Sequence, residues 1–118
     1  MTIKEFRRMA LAMKDTIESA HMGHPDFRIG GRIFASLNQN QQWGMVALTP
    51  DQQQEFVSQH RKTFIPENGA WGRMGYTKVD LDSVEEDTLG SALTLARQNA
   101  LNKGPSKRTA PKRTSRKP

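Results

Sequence analysis

Two adjacent glycines, Gly30-Gly31, separate Phe27-Arg28-Ile29 from Arg32-Ile33-Phe34-Ala35, and no other stretch constrains the fold as strongly. Paired glycines accept the positive φ angles of a tight hairpin, and the β-branched and aromatic flanks suit strands. A β-hairpin is therefore predicted. His24-Pro25-Asp26 leads into it: Pro25 holds the preceding residue extended, and Asp26 is available for a local turn bond. A two-residue turn would set Ile29 opposite Arg32 and Arg28 opposite Ile33, mixing charge and apolar groups on both faces. A three-residue turn that includes Arg32 separates them better. It places Phe27, Ile29, Ile33, Ala35 and Leu37 on one face and Arg28, Phe34 and Ser36 on the other, and it is the expected register.

The remaining elements follow from caps and periodicity. Thr2 and Glu5 form a capping-box pattern, followed by Phe6, Met9, Ala10, Met13 and Ile17 at helical spacing, and the helix can run toward Ala20 before Gly23 and Pro25 stop it. Trp43-Gly44-Met45-Val46-Ala47-Leu48 is continuously apolar and predicts a central strand. Thr49-Pro50-Asp51-Gln52 starts a second helix with Gln53, Phe56, Val57 and His60 facing inward. Thr63-Phe64-Ile65, closed by Pro66, predicts an edge strand. Ala70-Trp71-Gly72-Arg73-Met74-Gly75-Tyr76-Thr77 predicts an irregular basic-aromatic loop running into a strand, with Thr77, Val79 and Leu81 inward. Asp82 or Ser83 caps a last helix whose buried stripe is Leu89, Ala92, Leu93, Ala96 and Ala100. The expected order is α-β-β-β-α-β-β-α, an α+β domain over residues 1–102 with a mainly antiparallel sheet.

Charge is unevenly distributed. Residues 103–118 hold Lys103, Lys107, Arg108, Lys112, Arg113, Arg116 and Lys117 and no acid, so they carry +7; the other 11 of the chain's 18 Lys and Arg face all 12 Asp and Glu. A balanced body with a basic appendage is the result. The appendage has no apolar side chain larger than alanine, so disorder is expected. With no cysteine there is neither a disulfide nor a thiolate nucleophile. The charged start and the lack of a long apolar run predict a cytoplasmic protein with no membrane partner.

The hairpin block, the Thr2-Ile3-Lys4-Glu5-Phe6 helix start and the segment Trp71-Gly72-Arg73-Met74-Gly75-Tyr76-Thr77 together resemble the MmcQ/YjbR family of small bacterial proteins, over roughly residues 1 to 100. The resemblance implies an α+β fold similar to that of type III secretion chaperones. It also implies a DNA-binding role of the kind assigned to that family on structural grounds, without an established reaction.

Two groups of residues are candidates for contact with nucleic acid. In the tail, Lys107, Arg108, Lys112, Arg113, Arg116 and Lys117 would displace counterions from a phosphate backbone. In the domain, Arg28, Arg32, Trp71, Arg73, Tyr76 and Lys78 interleave cations with aromatics that can stack on bases. The competing readings are a solubilising terminus for the tail and, for Trp71, a core plug with Arg73 stacked on it or paired with a carboxylate. His24-Pro25-Asp26 matches the J-domain tripeptide only in letters, since strand-like residues and a glycine turn follow it. His21 and His24 lack a third metal ligand, and the first helix lacks the acidic ridge that a frataxin-like metal role would need. No nucleophile-base pair, carboxylate pair or phosphate-binding glycine loop is recognisable. The expected function is non-enzymatic binding of nucleic acid, DNA above all, by a monomer that needs no cofactor. The alternative is a protein-interaction or chaperone-like module that presents its sheet to a client.

Overall fold

The computed structural model describes residues 1–21, 23–38 and 42–103. In chain order the elements are α1 (Ile3–Leu11), β1 (Ile17–His21), β2 (His24–Ile29), β3 (Arg32–Asn38), β4 (Trp43–Ala47), α2 (Pro50–Gln59), β5 (Phe64–Pro66), α3 (Gly69–Arg73), β6 (Tyr76–Asp80) and α4 (Glu86–Asn102). The strands form one six-stranded antiparallel sheet in the order β1-β2-β3-β4-β6-β5. The expected α+β class holds, with one strand and one short helix more than the sequence suggested.

The extra strand corrects the end of the first helix. The Thr2–Glu5 capping box is present, but α1 stops at Leu11, and Asp15 takes up a left-handed φ of 63°, a conformation that Asp tolerates better than most residues. The chain then turns back as β1, and Ile17, expected on the buried stripe of the helix, is 66% exposed on an edge strand.

The hairpin register also departs from expectation. Ile29 pairs with Arg32 across a two-residue turn, with Gly30 and Gly31 at φ 59° and 81°. The charge-apolar mismatch of that register is absorbed further along: the pairing shifts between Arg28–Ile33 and Phe27–Ala35, leaving Phe34 as the extra residue of a β-bulge. Phe34 and Ala35 are both fully buried, so Phe34 belongs to the core and not to the opposite face.

The helices α1, α2 and α4 cover one face of the sheet. Phe6 of α1 packs on Phe27 with ring centres 6.1 Å apart. Gly44 of β4 lets that ring in, since a Cβ there would lie 2.7 Å from Phe6 Cε2. Phe56 of α2 packs on Phe64 at 4.9 Å, and Leu89, Ala92, Leu93, Ala96 and Ala100 of α4 are the buried stripe that their spacing predicted. The start of α4 differs, because its N-cap is Glu85 without a side-chain bond. Asp82 and Ser83 instead close a turn on the Asp80 carboxylate, through the Asp82 backbone N–H at 3.0 Å and the Ser83 hydroxyl at 3.1 Å. Thr77, Val79 and Leu81 face the core as expected.

Candidate functional site

Strand alternation assigns a second set of side chains to the face that these helices leave uncovered. Cross-strand pairing aligns Ser19, Asp26, Ser36, Met45, Lys78 and Ile65 in one row across the sheet. Asn38, Trp43 and Asp80 form a parallel row, and Ala47 and Tyr76 face each other further along. Of these residues only Asp26 is buried; the others are half-buried or exposed.

Asp26 is 1% exposed, yet its ligand is not a turn amide. Arg28, two residues on and so on the same face, grips the carboxylate with both prongs, Nε to Oδ1 at 2.8 Å and Nη2 to Oδ2 at 3.1 Å. The hydrogen bond to Asp26 raises the Arg28 pKa further above its ordinary value, against a smaller desolvation effect. Arg28 is thus held flat on the sheet by a partner that neutralises it, which weakens it as a phosphate contact.

Among the predicted surface residues, Tyr76 and Lys78 do share the uncovered face with Arg28. Arg32 does not: its pairing with Ile29 assigns it to the other side. The segment around Trp71 and Arg73 is not an irregular loop but the helix α3, ending with Arg73 exposed in its last turn. Trp71 is no core plug, being 61% exposed, and its ring stands edge-on to Tyr76 at 4.8 Å and 81°. That corner is tied to α2 by Gln53, whose Nε2 donates to the carbonyls of Gly72 and Tyr76, both at 3.0 Å, and reaches Thr77 Oγ1 at 3.2 Å. The tail candidates Lys107, Arg108, Lys112, Arg113, Arg116 and Lys117 lie outside the described residues.

Two residues were not anticipated. The Lys78 ammonium sits 5.9 Å from the Trp43 ring centre, and Trp43, Lys78, Asn38, Gly44 and Glu67 line a cleft of about 330 Å³. The signal for Trp43 was the alternation of Trp43, Met45 and Ala47 against Gly44 and Val46, hidden because a glycine occupies an inward position. Nothing in the sequence distinguished Glu67. A second hollow, lined by Pro50, Gln53, Gln54, Val57, Ser58, Arg61 and Pro66, brings together no comparable set of charged and aromatic groups. Among the described residues no cluster of three or more His, Asp or Glu is placed to hold a metal, and no helix is long and apolar enough to cross a membrane.

The family model for YjbR matches residues 11–99. The chain belongs to the YjbR family. Its fold is similar to that in the crystal structure of the Deinococcus radiodurans protein DR2400, which has a DUF419 domain: TM-score 0.76, 19% identity, 91% of this chain and 83% of that one. No curated protein sequence matches the chain. Of the segments that carried the family resemblance in the sequence, the β2-β3 hairpin and the stretch from Trp71 to Thr77 fall within the matched YjbR region, and the Thr2–Phe6 helix start lies before it. In the structure the hairpin supplies two interior strands of the sheet, and the Trp71–Thr77 stretch forms the aromatic corner at its uncovered face.

Proposed function

We propose that this YjbR-family chain binds nucleic acid, DNA above all, without catalysing a reaction. The observation that carries the reading is Trp71: a large aromatic 61% exposed, braced by Tyr76, and borne on a helix that ends in Arg73, at the face that also presents Lys78 and Trp43. Exposed, braced aromatics beside cations are the working parts of single-strand platforms, because every base offers a face to stack on. Residues 103–118, with seven cations and no acid, support the same reading from sequence. Such a segment releases counterions from any phosphate backbone, and it needs no particular conformation to do so.

The test is fluorescence anisotropy with single-stranded and duplex oligonucleotides over a salt series. The full chain should bind with a log-log salt slope of roughly −5 to −6 when all the tail cations engage. A chain ending at Lys103 should keep weaker binding that falls further with Trp71→Ala, Arg73→Ala or Lys78→Ala. Equal and negligible binding by both chains at low salt overturns the proposal.

One observation favours a protein client instead. Ile17 and Ile65 on the uncovered face of the sheet are 66% and 38% exposed, and Met74 at the end of α3 is 55% exposed; apolar groups of this kind suit an unfolded segment as partner. Binding to a client through those residues would be nearly independent of salt, whereas the nucleic-acid reading requires a steep dependence.

A further inference from the structure

We infer that the cleft between Trp43 and Glu67 is a base-binding subsite that prefers bases bearing an exocyclic amino group. The inference rests on the nucleic-acid reading above and specifies which part of the strand this face recognises.

The cleft combines four kinds of chemistry: the indole of Trp43, the ammonium of Lys78, the amide of Asn38 and the carboxylate of Glu67. At about 330 Å³ it lies at the small end of the roughly 300–1,000 Å³ typical of ligand sites, which suits one base better than a helix or a peptide. Gly44 forms part of the lining and contributes no side chain. Trp43 is half-buried, so part of its surface is accessible from the cleft that it lines. Lys78 already rests over that ring at 5.9 Å. A stacking base would replace the ammonium there, and the long lysine stem lets it swing toward a phosphate.

Glu67 supplies the discrimination. Its backbone is fixed, the N–H donating to the Tyr76 carbonyl at 3.0 Å, and no ion pair joins its carboxylate to Lys78 among the described residues. A carboxylate only accepts hydrogen bonds. It therefore favours the amino groups of cytosine, adenine and guanine, whereas thymine offers it one N3–H donor flanked by two carbonyl oxygens that repel a carboxylate.

Strand geometry relates the cleft to the exposed aromatic pair. Trp43 faces Asp80, and Tyr76 lies four residues earlier on the same strand, about 13 Å away, with Lys78 midway. Two stacking stations separated by a cation form a track for an extended single strand, one base at Trp71–Tyr76 and another at Trp43.

The test uses the full chain and the oligonucleotides dC12 and dT12. Trp71→Phe leaves Trp43 as the remaining one of the chain's two tryptophans, so intrinsic emission reports stacking in the cleft. Binding of dC12 should quench it, and dC12 should bind roughly five- to tenfold more tightly than dT12. Glu67→Gln, which can also donate to thymine, should bring the two affinities to within about twofold of each other. Oligonucleotide binding that leaves Trp43 emission unchanged, or an equal affinity for dC12 and dT12 in the wild type, overturns the subsite while leaving the nucleic-acid reading standing. Failure of the wild type to bind either oligonucleotide or a mixed-sequence duplex at low salt overturns both.

Discussion

Arg28 and Asp26 form a two-pronged ion pair in which the aspartate side chain is 2% exposed and the arginine side chain 32%. Removing the arginine strips a buried charge of its partner, although water can reach the vacated space, which reduces the loss. Arg28→Ala should therefore destabilise the domain by about 2 kcal/mol. The double variant Asp26→Asn, Arg28→Ala should lose less than the two single losses added together, as measured by urea denaturation.

Phe6 presses against Gly44 so closely that a methyl group there forces the ring to move. Gly44→Ala should cost about 1–3 kcal/mol. Adding Phe6→Leu, which withdraws the ring edge, should give a double variant that loses less than the sum of the two single losses. Thermal unfolding of the four proteins measures the coupling.

Gln53 joins α2 to the corner that carries Trp71 and Tyr76. Gln53→Ala should lower stability by about 1–2 kcal/mol and loosen α3 more than the rest of the molecule. Amide exchange should accelerate over residues 70–76 while α4 stays protected.

Glu5 titrates below its ordinary value of 4.5, chiefly because the Thr2 backbone N–H donates to its carboxylate, with the Thr2 side chain adding to the effect. A carboxylate whose pKa is lowered by folding stabilises the native state above its unfolded value, and that contribution disappears as pH falls through the folded value. The wild type should therefore lose stability between pH 5 and 3 more steeply than Glu5→Gln. Denaturation midpoints collected across that window decide it.

Much of the architecture was legible because local rules and tertiary needs agreed. Both capping boxes, Thr2–Glu5 and Thr49–Gln52, occur where the residues indicated, the α4 stripe is buried, and Pro66 ends an edge strand. The misreadings have long-range causes. Residues 17–21 are set by pairing with β2, and four of them, Ile17, Glu18, Ser19 and Ala20, are exposed, so no alternation announces a strand. Phe34 defies the period-two rule because a bulge inserts it. Trp43 was hidden by the glycine beside it, since the inward position that should have been a large apolar residue is filled from α1 by Phe6. The candidate site was legible in Tyr76 and Lys78, where alternation is clean, and illegible in Glu67, which lies outside any strand or helix and follows no pattern.

Stacking every major helix on one side of the strands has a practical outcome. The positions bearing Trp43, Met45, Tyr76 and Lys78 can be rewritten individually without touching the interior residues that hold the domain together. The domain thus offers a chassis for engineered recognition panels, in which ligand preference is altered while the melting temperature barely moves.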